Sequence, residues 1–143
     1  MPTHSILIVD DEPSLRRLLQ TLLSRAGFTV LEADDVTTAL DIARRQDMVL
    51  DLVVTDMALP SGSGLGLVRQ LATERPGLRC ILMSGYDMQT LLSLAEPGLD
   101  MRFLQKPFTP AEFLASVSDT LSRGLDRSQS SMKSAAGPTR NSA

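Results

Sequence analysis

The chain is poor in the residues that fix a protein's class by themselves. It has a single cysteine, Cys80, which excludes an internal disulfide and is compatible with a reducing compartment. Cys80 sits inside an apolar run, where core filler is a commoner role than reactive thiol. It has one histidine, His4, and no His or Cys cluster of the kind that binds zinc; a lone histidine near a chain end is more often solvated than a ligand. The 14 Lys and Arg are scattered and are outnumbered by 17 Asp and Glu, giving a net charge of -3. The clustered basic footprint of a nucleic-acid or acidic-membrane binder is therefore missing. No apolar run approaches the roughly 18 residues of a membrane-spanning helix, and no basic segment leads into an apolar stretch with a cleavage site at the amino terminus. A soluble, unexported, cytoplasmic protein is expected, with neither nucleic acid nor membrane as partner.

What is present suits one domain. At 143 residues, with 43% hydrophobic side chains, the chain can bury a single core. Ser5 to Val9 is a short apolar run that reads as a strand buried on both faces, and it ends in Asp10, Asp11 and Glu12. Pro13 suits a first helical turn. Leu15, Leu18, Leu19, Leu22, Leu23 and Ala26 then recur at helical spacing, with Gly27 placed to end the helix. Phe28 to Ala33 reads as a second strand. Asp35 can cap a helix whose inner face is Val36, Ala39, Leu40 and Ala43. A third strand, valine-rich, closes on Asp56 just before Pro60 and the soft run from Ser61 to Gly64. Leu67, Val68, Leu71 and Ala72 give another helix, stopped by Pro76 and Gly77. Cys80 to Met83 is a fourth strand, closing on Ser84 and Gly85. Asp87 to Glu96 carries a short helical pattern. Met101 to Leu104 is a fifth strand, ending at Gln105, Lys106 and Pro107. Thr109, Pro110 and Glu112 form a capping box for a last helix with Phe113, Leu114, Val117 and Leu121 inward, and Gly124 can end it.

Five short apolar strands alternating with five helices predict an α/β fold, a doubly wound parallel sheet with helices on both faces. Right-handed crossovers favour the strand order 2-1-3-4-5. Residues 1–124 make the domain, and 125–143, nearly devoid of large apolar side chains, read as a disordered tail.

In this topology the first and third strands are neighbours, so Asp10, Asp11 and Asp56 meet on one edge, where ligands bind in open α/β sheets. Taken alone, a strand-end aspartate is as commonly a turn cap. Like charges about 4 Å apart repel by roughly 4 kcal/mol at an effective dielectric near 20, so three carboxylates together call for a cation. Mg²⁺ fits better than Ca²⁺, because it typically takes only one or two carboxylates along with waters and phosphate oxygens. Ser84 after the fourth strand and Lys106 after the fifth add a hydroxyl and an ammonium at the same rim. Metal, ammonium and hydroxyl are what a phosphoryl group's oxygens require. Each signal is weak by itself; their joint placement at four strand ends is specific.

These residues resemble the five-position signature of response-regulator receiver domains of two-component and phosphorelay signalling. Asp10, Asp11, Asp56, Ser84 and Lys106 with Pro107 match it, and the resemblance spans about Ser5 to Ser122. The surrounding wording matches too, in Ile6 to Glu12, Asp56 to Pro60, Leu82 to Tyr86 and Phe103 to Phe108. The resemblance implies a flavodoxin-like receiver of the single-domain type and a phosphorylation switch. Asp56 would be the phosphoacceptor, taking the group from a phosphohistidine on a histidine kinase or histidine phosphotransfer protein. Asp11, Asp56 and the main-chain carbonyl of Ala58 would ligand Mg²⁺, with Asp10 acting through a bound water. Lys106 would pair with the phosphoryl group, its bond to Pro107 would be cis, and Ser84 and Phe103 would be the switch pair. Such a protein is not an enzyme beyond self-catalysed phosphorylation and dephosphorylation, and a monomer or weak dimer is expected. Its output would be a downstream protein partner bound through the fourth helix, fifth strand and fifth helix.

Three positions depart from the commonest pattern. Phe103 has no hydroxyl to signal with, Gly66 stands where an acid is frequent, and Ala58 lacks a side chain able to act on a hydrolytic water. Two alternatives use the same residues. An aspartate-nucleophile phosphatase usually carries a second acid two residues past the nucleophile, and that position is Ala58. A receiver-fold binding module without phosphoryl chemistry predicts loss of an acceptor, metal or lysine position, and none is lost. A stand-alone receiver is the leading reading; the wording around Ser84 and Phe103 also resembles receivers joined to hybrid histidine kinases, which leaves service inside a phosphorelay, or origin as one domain of a larger protein, as the second.

Overall fold

The computed structural model of the chain describes residues 4–45, 49–96 and 98–122. In chain order the elements are β1 (Ser5–Val9), α1 (Pro13–Arg25), β2 (Thr29–Ala33), α2 (Val36–Ala43), β3 (Leu52–Asp56), β4 (Ala58–Leu59), β5 (Gly62–Ser63), α3 (Gly64–Glu74), β6 (Arg79–Ser84), α4 (Met88–Ser93), β7 (Met101–Gln105) and α5 (Pro110–Ser122). The long strands form one parallel sheet in the order β2-β1-β3-β6-β7. Counted over those five strands this is the expected 2-1-3-4-5 order. β4 and β5 pair separately as a small antiparallel hairpin, with Ala58 opposite Ser63 and Leu59 opposite Gly62.

Strand period two splits the apolar residues between two cores. Leu7, Val9, Val53, Cys80 and Leu82 point to one face, under Ala39, Leu40 and Ala43 of α2 and Leu67, Val68 and Leu71 of α3. Their neighbours Ile6, Ile8, Leu52, Val54, Ile81 and Met83 point to the other, under Leu19 and Leu23 of α1 and Phe113, Val117 and Leu121 of α5. Because both faces are covered, the central strands are apolar at consecutive positions rather than alternate ones.

Helix starts follow the local chemistry. Asp35 caps α2, its carboxylate accepting from the Thr38 N–H at 3.0 Å. Thr109 and Glu112 close the capping box of α5 through reciprocal bonds of 3.0 and 2.8 Å. Gly27 has φ +99°, a conformation that favours glycine, and it follows α1 as expected.

Several expected bounds change. The second strand starts at Thr29, not Phe28, and the fourth runs from Arg79 to Ser84, beyond Cys80–Met83 at both ends. The helical pattern over Asp87 to Glu96 gives only Met88–Ser93: Asp87 is the cap, accepting from the Thr90 N–H at 2.7 Å, and Leu94 closes the last turn. Pro97 disfavours helix at Glu96, so the pattern could not have run its full expected length. Leu91 alone of that helix is buried. In α1, Leu18 is 46% exposed, so the inward stripe is narrower than the leucine spacing suggests. Gly124 and the tail 125–143 lie outside the described residues.

Candidate functional site

Every parallel strand delivers its last residue to the same edge, and the candidate residues collect there. Asp10 follows β1 and is fully buried, Asp11 beside it is exposed, and Asp56 is the final residue of β3. One carboxylate oxygen from each of the three lies within 4.8 Å of the others. Lys106, just past β7, brings its Nζ to 3.3 Å from Asp56 Oδ1 and 3.9 Å from Asp10 Oδ2. The expected gathering of Asp10, Asp11, Asp56 and Lys106 is met.

Local bonds hold this arrangement. Asp10 Oδ1 accepts from the Glu12 N–H at 2.8 Å, and the Asp10 N–H donates to the Ala33 carbonyl at 3.1 Å, carrying the β1–β2 ladder one step past the strand. Past Asp56, the Met57 N–H donates to the Met83 carbonyl at 2.9 Å and the Gly64 N–H to the Met57 carbonyl at 2.7 Å. The acceptor's chain is thereby tied to β6 on one side and to the start of α3 on the other. The Lys106 N–H donates to the Ser84 carbonyl at 2.7 Å, joining the ends of β6 and β7, and the Lys106–Pro107 bond is cis, as the resemblance implies.

Burial pushes the Asp10 carboxyl above its ordinary pKa. The Glu12 N–H opposes this, the Asp56 charge adds to it, Lys106 opposes it and Asp11 adds to it. Asp10 Oδ2 is buried without a hydrogen bond, since Lys106 at 3.9 Å is beyond bonding distance. A buried, unpartnered carboxylate oxygen facing two further carboxylates suits a cation better than a second neutral donor. Hard oxygen donors without nitrogen or sulfur fit Mg²⁺.

The remaining candidates are arranged differently. Ser84 ends β6, one register step beyond Met83, the partner of Asp56. It is buried, and its hydroxyl accepts from the Tyr86 N–H at 3.0 Å within its own turn. Phe103 sits opposite Leu82 on β7, partly buried against the core under α2 and α3. Ala58 is exposed and opens the β4–β5 hairpin, a device that composition does not announce. His4 is exposed, its ring 6.3 Å from that of Phe28 and remote from the acids in the chain's fold. Gly66, where an acid is frequent, does not spoil the start of α3, because its N–H is taken by the Ser63 hydroxyl at 2.9 Å.

One positioning residue was not singled out from the sequence. A Cβ on Gly64 would lie 2.9 Å from the Asp56 carbonyl carbon, 3.0 Å from Thr55 Oγ1 and closer still to the Asp56 carbonyl oxygen. Only glycine lets α3 begin this near the acceptor. The glycine-rich turn was legible; which glycine the packing requires was not.

Residues 6–118 match the sequence profile described as response regulator receiver domain. Among curated proteins, the chain is 35% identical over 130 residues to the probable transcriptional regulator ycf27 of Porphyridium aerugineum, covering 91% of this chain and 52% of that protein. It is 37% identical over 112 residues to the C4-dicarboxylate transport transcriptional regulatory protein DctD of Pseudomonas aeruginosa, covering 78% of this chain and 24% of that one. The chain thus spans about half, or less, of the length of the curated relatives it matches. Among solved structures, the signal receiver domain of an HD domain-containing protein from Pseudomonas fluorescens Pf-5 superimposes with a TM-score of 0.76 at 27% identity, over 90% of this chain and 94% of that one. The receiver domain of the hybrid histidine kinase CckA gives 0.69 at 28% identity, over 82% of this chain and 98% of that one. Among the described residues, no helix is long and apolar enough to cross a membrane. With the fold, the strand order and the matched residues in agreement, this chain belongs to the response regulator receiver domain family.

Proposed function

We propose that this receiver is a magnesium-dependent phosphoacceptor in which Asp56 takes a phosphoryl group from a phosphohistidine on a histidine kinase or histidine phosphotransfer protein. The observation that carries the reading is a strand-end carboxylate with an ammonium 3.3 Å away and two more carboxylates beside it. In the transfer, an Asp56 carboxylate oxygen bonds to phosphorus as the phosphorus–nitrogen bond breaks. The electron pair returns to the imidazole nitrogen, which takes a proton from solvent and leaves neutral. In the reverse direction of signalling, a water oxygen bonds to phosphorus as the bond between phosphorus and the Asp56 oxygen breaks; the electron pair returns to the carboxylate, the water's proton passes to solvent, and inorganic phosphate is released. The protein is thus a switch with self-catalysed turnover rather than an enzyme acting on a separate substrate.

Asp11, Asp56 and the Ala58 carbonyl would hold Mg²⁺, with Asp10 reaching it through a water. When bound, the ion neutralises charge on the transferring oxygens. Lys106 neutralises a further oxygen and orients the group, its stem held by Pro107 and by the bond from its N–H to Ser84. Phosphorylation adds about -1.5 to -2 charges beside Lys106 and Ser84. The Ser84 hydroxyl exchanges the Tyr86 N–H for a phosphoryl oxygen, and Phe103 on the neighbouring strand goes further inward to fill the space released. That bias alters the face of α4, β7 and α5, where a downstream protein binds. The receiver works in the cytoplasm as a monomer or weak dimer, without contact to nucleic acid of its own. The relatives named as transcriptional regulators extend well beyond the stretch they share with this chain, so what they regulate is not carried over.

Incubation with acetyl phosphate or a phosphohistidine donor and Mg²⁺, followed by intact mass, tests the reading. The expected result is a gain of one phosphoryl group that requires Mg²⁺ and is absent in Asp56→Asn. No gain with either donor, or an undiminished gain in Asp56→Asn, overturns it.

A further inference from the structure

We infer that Arg16 is a positioning residue for the acid pocket, acting through the peptide between Asp10 and Asp11. The inference rests on reading that pocket as a Mg²⁺ site. Arg16 lies one turn into α1, and its guanidinium reaches back to donate from Nη1 to the Asp10 carbonyl at 2.7 Å. Its Nε meets Glu32 Oε1 on β2 at 3.2 Å. The arm is thus fixed at both ends, by a helix and by the edge strand of the sheet, and its side chain is only 22% exposed.

The bond falls where the sheet no longer supplies one. The Asp10 N–H still pairs with the Ala33 carbonyl, but β2 ends at Ala33. The chain then turns toward the Asp35 cap, so the guanidinium meets the carbonyl that the next strand N–H would have met. A peptide unit is planar, so anchoring its oxygen also fixes the Asp11 nitrogen and the direction in which the Asp11 side chain leaves the backbone. That matters for Asp11 in particular. Asp10 is locked by burial and by the Glu12 N–H, whereas Asp11 is exposed and, among the described residues, no hydrogen bond holds its carboxylate. The Arg16–Glu32 clamp is the device that aims the exposed ligand.

Two effects of Arg16 have opposite signs, which makes the role testable. As a positive charge bonded to the backbone of the acid pocket it opposes a cation; as an anchor it preorganises the site and favours one. Isothermal titration of the intact chain with Mg²⁺, alongside urea unfolding without metal, separates them. Anchoring predicts that Arg16→Met weakens Mg²⁺ binding about 10-fold, the scale of a lost partner behind a metal ligand. Arg16→Lys, which keeps the charge but not the two-ended fork, is expected to recover only part of this. Glu32→Gln removes one end of the clamp from an exposed position and gives a smaller loss in a fold that survives even if Arg16→Met does not. Unchanged or tighter binding in both Arg16→Met and Glu32→Gln overturns the positioning role, as does a loss fully accounted for by the unfolded fraction. A parent chain that binds no Mg²⁺ overturns the metal-site reading itself, and the role of Arg16 with it.

Discussion

Replacing Gly64 with alanine is expected to damage stability and phosphoryl acceptance together, because the added methyl has nowhere to go. Its carbon would sit 2.9 Å from the Asp56 carbonyl carbon and 3.0 Å from Thr55 Oγ1. Carbon atoms in comfortable contact are about 3.5–4.0 Å apart, so the chain must open by roughly 1 Å. The nearest obstructing atoms, the Asp56 carbonyl carbon and oxygen, are backbone, held close by the Gly64–Met57 and Met57–Met83 hydrogen bonds, and cannot swing aside as a long side chain would; the Thr55 hydroxyl beside them is itself bonded to the Asp56 carbonyl at 2.9 Å. Overpacking of this kind costs about 1–3 kcal/mol, and losing the Gly64–Met57 bond about 1 kcal/mol more. The lower entropy of an unfolded alanine returns roughly 0.4–1 kcal/mol. The net loss is about 1–3.5 kcal/mol, or on the order of 10 °C in melting temperature for a domain of this size. Thermal unfolding followed by circular dichroism measures it. An acceptor displaced by about 1 Å is also expected to react on the order of 100-fold more slowly with acetyl phosphate. Gly85→Ala is the control: a Cβ there meets nothing within 4 Å beyond its own chain neighbours and its φ is not positive, so melting should be unchanged or slightly raised. A Gly64→Ala protein melting within about 2 °C of the parent, with an unchanged phosphorylation rate, would refute the steric reasoning.

Asp10→Asn should stabilise the metal-free protein at pH 7. Burial raises the Asp10 carboxyl, so the folded state binds the proton more tightly; the penalty is absent below the ordinary carboxylate pKa, grows as pH rises through about 4, and is complete above the raised value. Asparagine keeps Oδ1 for the Glu12 N–H, and a variant melting below the parent at pH 7 would contradict this. Lys106→Ala removes the cation that competes for the acids, so Mg²⁺ should bind more tightly, while the protein is still phosphorylated but no longer switches its partner; weaker Mg²⁺ binding by titration, or intact partner binding by the phosphorylated variant, would count against the role. Burial pushes the Cys80 thiol up to about 12, so it should resist alkylation at pH 8 in the folded protein and react only on unfolding, as read by mass; prompt labelling of the native chain would show the burial to be wrong.

The strands were legible because a parallel sheet covered on both faces requires short apolar runs, and Ile6 to Val9, Leu52 to Val54 and Cys80 to Met83 are such runs. Helix starts were legible where a capping side chain or proline acts within three residues, as at Asp35 and Thr109. Less was visible where a pattern competes with its surroundings. Leu18 keeps the spacing of its neighbours yet stays exposed, since the sheet reaches only Leu19 and Leu23 fully. The helix begun at Asp87 stops early, because only Leu91 finds a core to enter.

The sequence by itself determined the order of the five sheet strands and five helices along the chain, the caps at Asp35 and Thr109, and which acids, hydroxyl and lysine end the strands, since each of these depends on neighbours a few residues away. Only the tertiary structure decided that Asp10 is fully buried with an unbonded oxygen while Asp11 is exposed, that Lys106 lies nearer Asp56 than Asp10, that Gly64 admits no side chain, and that Arg16 holds the Asp10 carbonyl. Those properties arise between residues tens of positions apart, or from the ångström-scale approach of two backbones. Residue type and spacing carry no record of such distances; the packing of the sheet against its helices sets them.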